Sequence, residues 1–175
     1  MKLASDRSNV PEQPYWIASR EVTRGEFEAF TGDTSYDGEK PTDRRESYLF
    51  RYKETSPTLD HPVQNVSWYD AVMYCNWLSR KEGRTPAYRF AGKEKIKDFA
   101  NREFEVDNWE EVAGATGYRL PRELEWEYAC RAGSETDWST GSNDSLLAAY
   151  CQMFPSKLAS PSGKKLPSAW GMHDM

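Results

Sequence analysis

The stretch Ser67-Trp68-Tyr69-Asp70-Ala71-Val72-Met73-Tyr74-Cys75-Asn76-Trp77-Leu78-Ser79-Arg80-Lys81-Glu82-Gly83 carries the signals of a complete helix. Ser67 can accept the amide of Asp70, whose carboxylate can return to the Ser67 amide. This is a capping box with Asp in place of Glu. Ala71, Tyr74, Cys75 and Leu78 fall at i, i+3, i+4 and i+7 and should form the buried stripe. Arg80 and Lys81 sit where the helix dipole favours cations, and Gly83 supplies the stop. The pattern predicts a helix over 68–82.

Two further starts flank it. Thr23-Arg24-Gly25-Glu26 is a capping box with Val22 and Phe27 placed for a hydrophobic staple. Phe27 and Phe30 share one side and Gly32 is a stop, so a short helix is expected over 24–31. A third helix, over 122–131, follows Leu120-Pro121, with Leu124 and Tyr128 as apolar positions and Gly133 at its end. Residues 93–103 read as a weaker fourth helix through Ile96, Phe99 and Ala100. Short strand candidates are Tyr15-Trp16-Ile17, Ala87-Tyr88-Arg89-Phe90 and Phe104-Glu105-Val106. Residues 33–62 and 134–165 read as loops. The aromatic residues must then supply much of the packing. Trp68, Tyr74, Trp77, Leu78, Leu120, Trp126 and Tyr128 are the expected core.

Composition narrows the class. The chain has 175 residues, a length that suits one domain. It carries seven Trp, ten Tyr and seven Phe, which argues against wholesale disorder. Its net charge is −5 with no basic block, which disfavours nucleic acid as a partner. Mean hydropathy is −0.87, and no apolar run approaches the ~20 residues of a membrane span. The N-terminal residues show no apolar signal-peptide region, which favours a cytoplasmic location.

Candidate chemistry is sparse. Cys75, Cys130 and Cys151 form an odd set without zinc spacing. They read either as buried thiols in a reducing compartment or as residues whose partners lie outside this chain. They sit on separate elements and are not expected to bind copper. His61 and His173 each adjoin an aspartate, Asp60 and Asp174, but two histidines are too few for most metal sites. Glu123, Glu125 and Glu127 alternate, so on a helix they splay and read as a solvated face rather than an acid/base pair. Asp33, Asp37 and Glu39 lack the spacing of a calcium loop and read as a solvated turn.

Three longer motifs carry more. The first is His61-Pro62-Val63-Gln64-Asn65-Val66-Ser67-Trp68-Tyr69-Asp70-Ala71-Val72, continued by Tyr74-Cys75-Asn76-Trp77-Leu78-Ser79. The second is Gly117-Tyr118-Arg119-Leu120-Pro121-Arg122-Glu123-Leu124-Glu125-Trp126-Glu127-Tyr128-Ala129-Cys130-Arg131-Ala132-Gly133. The third is Pro167-Ser168-Ala169-Trp170-Gly171-Met172-His173-Asp174-Met175. In order and spacing they resemble the formylglycine-generating enzyme (sulfatase-modifying factor) family, over residues 14–175, with 1–13 as an N-terminal extension.

That resemblance implies an α+β, loop-rich variant of the C-type lectin fold, incomplete at its C-terminal side. Family oxidases convert a sulfatase cysteine to formylglycine with oxygen and a copper ion held by two cysteines in the C-terminal part. No residue of this chain matches that pair. Cys75 and Cys130 match positions that form disulfides with C-terminal cysteines in some members. The expectation is therefore no catalytic, cofactor-binding or metal-binding residue here, with copper and calcium belonging to the full-length domain.

Three departures follow from the alignment of motifs. Arg122 stands where a capping Thr is common. Ala148-Ala149-Tyr150 or Ala149-Tyr150-Cys151 lacks the Asn that helps to bind calcium. An insertion spans about Arg89 to Ala113. The family also includes ligand-binding modules and domains fused to signalling kinases. The resemblance thus implies a non-catalytic module for a protein or peptide ligand. The alternative is the N-terminal portion of a copper oxidase, with a sulfatase as partner. A chain ending at Met175 is expected to expose apolar surface around Trp170, Tyr74 and Tyr128 and to self-associate.

Overall fold

The computed structural model describes residues 10–41, 55–152 and 158–175. The expected loops over 33–62 and 134–165 fall partly outside these residues. The elements run α1 (Arg24–Gly32), α2 (Trp68–Lys81), β1 (Tyr88–Lys97), β2 (Glu103–Glu111), α3 (Glu123–Arg131), a 3-10 turn (Asp144–Leu146) and α4 (Leu147–Tyr150). Helices and one antiparallel hairpin are joined by long irregular segments, a mixed helix-and-strand, loop-rich architecture. The chain forms two compact units. Among the described residues, one comprises 10–28, 55–65, 121–152 and 158–175; the other comprises 29–41 and 66–120.

The capping signals work as read. Ser67 Oγ accepts the Asp70 amide at 3.2 Å, and Asp70 Oδ2 accepts the Ser67 amide at 2.8 Å. At α1, Glu26 Oε2 accepts the Thr23 amide at 2.8 Å and Thr23 Oγ1 accepts the Glu26 amide at 3.2 Å. Two amides of the first turn of α1 reach outward instead, Arg24 to the His61 carbonyl (2.7 Å) and Gly25 to the Leu59 carbonyl (2.9 Å). The helix start is thereby satisfied by neighbouring chain rather than by water. At α3 only half a box is possible. Arg122 has no acceptor in its side chain, and its amide donates to Glu125 Oε2 at 2.8 Å.

The second unit has its core between α2 and the base of the hairpin. Val72, Cys75, Ala87 and Tyr88 are buried together, with Trp109, Ala115 and Leu120 packed against them. The buried residues of α2 are Val72, Met73, Cys75, Asn76, Trp77 and Ser79. The stripe expected at Ala71, Tyr74 and Leu78 is thus rotated by about one residue; those three are only half-buried.

Two polar residues cause the rotation. Asn76 Nδ2 donates to the Tyr88 carbonyl (2.9 Å) while its Oδ1 accepts the Tyr88 amide (3.2 Å), a two-point clamp on β1. Ser79 Oγ donates to the Cys75 carbonyl and accepts the Tyr118 amide, both at 2.7 Å. A buried polar side chain with its bonds made is as much a core residue as a leucine.

Several expectations are corrected. Residues 93–103 are no helix. Lys93 to Lys97 alternates with a period of two and pairs with Glu103 to Asp107, Lys95 facing Glu105 and Ile96 facing Phe104. Asp98 makes the turn, Oδ1 accepting the amides of Ala100 and Arg102, both at 2.9 Å. Of the segments read as short strands, Tyr88–Phe90 and Phe104–Val106 belong to this longer hairpin, with Ala87 just before it; the hairpin occupies the expected insertion. Tyr15-Trp16-Ile17 forms no strand. Trp68 and Trp126 are about half exposed rather than core. Tyr74, Leu78, Leu120 and Tyr128 are half-buried, and of the expected core only Trp77 is fully enclosed. The loop after residue 134 is interrupted by the 3-10 turn and α4.

Candidate functional site

In the first unit, aromatic side chains gather around α3. Tyr15 Oη donates to the Glu125 carbonyl at 2.6 Å, tying the segment that carries Trp16 to the helix that carries Trp126. Burial raises the Tyr15 phenol above its usual range, and the nearby Glu125 and Tyr128 add to the shift. Tyr128 in turn packs on Trp170, ring centroids 5.0 Å apart at 58°. Trp16 is fully exposed, and Trp126 and Trp170 are 48% exposed. Glu125, by contrast, is buried, and its carboxylate holds the start of the helix. The reading of Glu123, Glu125 and Glu127 as one solvated face is therefore corrected at Glu125. Glu127 pairs with Arg131 at 3.1 Å.

A second group in this unit holds the turn before the C-terminal segment. Glu21 Oε2 accepts from Ser162 Oγ (3.0 Å), and Asp174 accepts the amides of Gly163 (2.5 Å) and Lys165 (3.2 Å). Asp174 adopts a positive φ of 60° to do so. Burial raises the Glu21 carboxyl, against a lowering hydrogen bond from Ser162, and the neighbouring Asp174 raises it further. His173 Nδ1 lies 2.8 Å from the Lys165 carbonyl. His61, buried, accepts the Thr58 amide at Nδ1 over 3.3 Å, and the same nitrogen lies 2.7 Å from the Thr58 hydroxyl. Both histidines are thus engaged with loop groups.

In the second unit, Asp33 is held against Trp77. Its Oδ2 accepts Trp77 Nε1 at 2.9 Å and its Oδ1 accepts the Ser35 amide and hydroxyl. These bonds, the Ser35 hydroxyl first, lower its carboxyl from 3.8 to about 2. Phe30, Tyr36, Tyr74 and Trp77 form one aromatic cluster, with Arg80 over Tyr36 and Lys81 over Trp77. Asp37 pairs with Arg80 at 3.0 Å. The oxygens of Asp33 and Asp37 point to different donors and do not converge, so this loop does not fit a calcium ion.

Cys75 is buried and desolvation pushes its thiol up to about 12. Burial, with Cys151 nearby, also raises Cys130. Among the described residues, no group of three or more His, Cys, Asp or Glu is arranged to hold a metal ion. No helix among them is long and apolar enough to cross a membrane.

The fold and this surface define a loop-rich, mixed helix-and-strand domain that presents aromatic side chains around one short helix. The model of the sulfatase-modifying factor enzyme 1-like domain matches residues 3–175, and the chain belongs to that family. It is 32% identical over 151 residues to the chaperone protein LppX of Paenibacillus barcinonensis, a match covering 82% of this chain and 46% of that protein. It is 36% identical over 74 residues to the formylglycine-generating enzyme of Bos taurus, covering 42% of this chain and 10% of that sequence. The chain thus spans less than half the length of these curated relatives.

Among solved structures, Treponema denticola variable protein 1 superposes with a TM-score of 0.58 at 26% identity, covering 87% of this chain and 55% of that one. The crystal structure of CarF superposes with a TM-score of 0.56 at 21% identity, covering 89% of this chain and 62% of that one, a likeness of fold alone.

Proposed function

We propose that this chain is a non-catalytic binding module of the formylglycine-generating enzyme type, built on that family's variant of the C-type lectin fold, and that its ligand is a protein or peptide. The observation that carries this reading is the aromatic set around α3. Trp126 stands on α3 itself and Trp170 packs on Tyr128, yet both keep about half their surface in water; Trp16, next to the Tyr15 that bonds α3, is fully exposed. Exposed Trp is a residue type that dominates protein-binding hot spots. The similarity to a relative named as a chaperone protein supports the same reading.

An array of apolar and aromatic-rich peptides tests it. Trp16→Ser/Trp126→Ser should lose peptide retention while the thermal midpoint stays close to that of the unmodified chain. Equal retention by both proteins would remove this surface as the site.

The 36% identity to a formylglycine-generating enzyme over 74 residues supports a second reading, the N-terminal portion of a copper oxidase. Mass spectrometry of a sulfatase cysteine peptide incubated with the full-length gene product and copper distinguishes the two. Conversion to formylglycine would favour the oxidase.

A further inference from the structure

The hairpin is a second surface, independent of the aromatic set, so either can fail alone. Among the described residues it is a sheet of only two strands. Isolated hairpins are marginal, and a free edge carries unpaired N–H and C=O groups that template a further strand. The two strands differ sharply in charge. β1 holds Arg89, Lys93, Lys95 and Lys97 against the single carboxylate of Glu94. β2 holds Glu103, Glu105, Asp107, Glu110 and Glu111 and no cation.

The register sorts them by face. Lys93 faces Asp107, Lys95 faces Glu105 and Lys97 faces Glu103 on one side of the ribbon; Ile96 faces Phe104 on the other. Exposure is also uneven. Every residue of β1 from Arg89 to Lys97 is exposed except Gly92, whereas β2 is half-buried from Val106 to Trp109. The edge of β1, the strand that carries the cations, is therefore exposed along its length, although Arg89 pairs with Glu110 and Lys97 lies 3.5 Å from Glu103 across the ribbon.

We propose that the free edge of β1 binds an extended acidic segment of a partner protein by strand addition. Its carboxylates would alternate with apolar residues. The carboxylates meet Lys93, Lys95 and Lys97 on one face, the apolar residues meet Ile96 on the other, and backbone bonds supply the rest. β2 itself is the pattern for such a strand. A second copy of this chain fits poorly. Its β1 would set lysines against lysines, and like charges directly opposite are destabilising. Its β2 has a half-buried centre.

The probe is a fluorescently labelled synthetic peptide with the 9-residue sequence Glu103–Glu111, added to the whole chain and followed by anisotropy. Four results are expected. The peptide binds, and binding weakens as salt rises. A peptide N-methylated at alternate residues, with the same charge but without half its backbone donors, binds at least about tenfold more weakly. Hydrogen exchange slows at amides of 89–97. Lys93→Gln/Lys95→Gln/Lys97→Gln should weaken binding by roughly tenfold.

Absence of binding overturns the proposal, as does equal binding of the N-methylated peptide, which would indicate charge attraction without strand addition. Protection confined to other segments overturns it too. Association of the chain with itself that the peptide does not compete would assign the edge to a second copy instead.

Discussion

Trp77→Ala should be the most damaging single truncation on α2, and Trp126→Ala should be mild. Trp77 is 4% exposed and Trp126 is 48% exposed, so the same chemical change removes very different amounts of packing. The Trp77 ring lies 5.7 Å from Phe30 and 5.6 Å from Tyr74 between centroids, and Lys81 Nζ stands 4.6 Å above it. Phe30 has no exposed surface and cannot simply fold outward to fill the space.

Truncating a large aromatic in such a setting costs about 3–5 kcal/mol. Trp126 already has half its surface in water, so its truncation should cost about 1 kcal/mol or less, in the range of surface substitutions and light packing losses. Urea unfolding followed by far-ultraviolet circular dichroism measures both without relying on tryptophan fluorescence. The midpoint should fall far more for Trp77→Ala, with a similar slope. A loss below about 1 kcal/mol at Trp77, or equal losses at the two sites, would refute the assignment of Trp77 to the core.

Three further outcomes follow from the same contacts. Gly117→Ala should destabilise by about 1–3 kcal/mol or more, because a Cβ there would meet Ser79 Oγ at 2.3 Å and the Thr85 carbonyl at 2.4 Å; thermal unfolding reads it. The Asp33 carboxyl should titrate near 2 by carboxyl-detected NMR, and Ser35→Ala should raise that value more than Trp77→Phe, since the Ser35 hydroxyl is the larger cause. Because the folded value is depressed, the stability it contributes is present above the ordinary carboxyl value of 3.8 and is lost as pH falls toward about 2. Cys75, its thiol raised to about 12, should resist a disulfide reagent at pH ~8 in the native chain and react once unfolded; rapid native labelling would contradict its burial.

What could be read directly were interactions that span three or four residues. The capping boxes at Thr23–Glu26 and Ser67–Asp70 formed because donor and acceptor lie within one turn, whatever the rest of the chain does. The family motifs were equally legible, since they are strings of residues in order.

The tertiary structure decided whatever depends on partners far along the chain. Asn76 and Ser79 are buried because Tyr88 and Tyr118 bring backbone groups to them, so the buried face of α2 turned away from its apolar stripe. Residues 93–97 became a strand because Glu103 to Asp107 returned beside them, a pairing that local propensity does not encode. Trp16, Trp126 and Trp170 look no different in sequence from Trp77. Whether an indole ends in a core or on a surface is settled by which residues close over it, and only the fold brings those residues together.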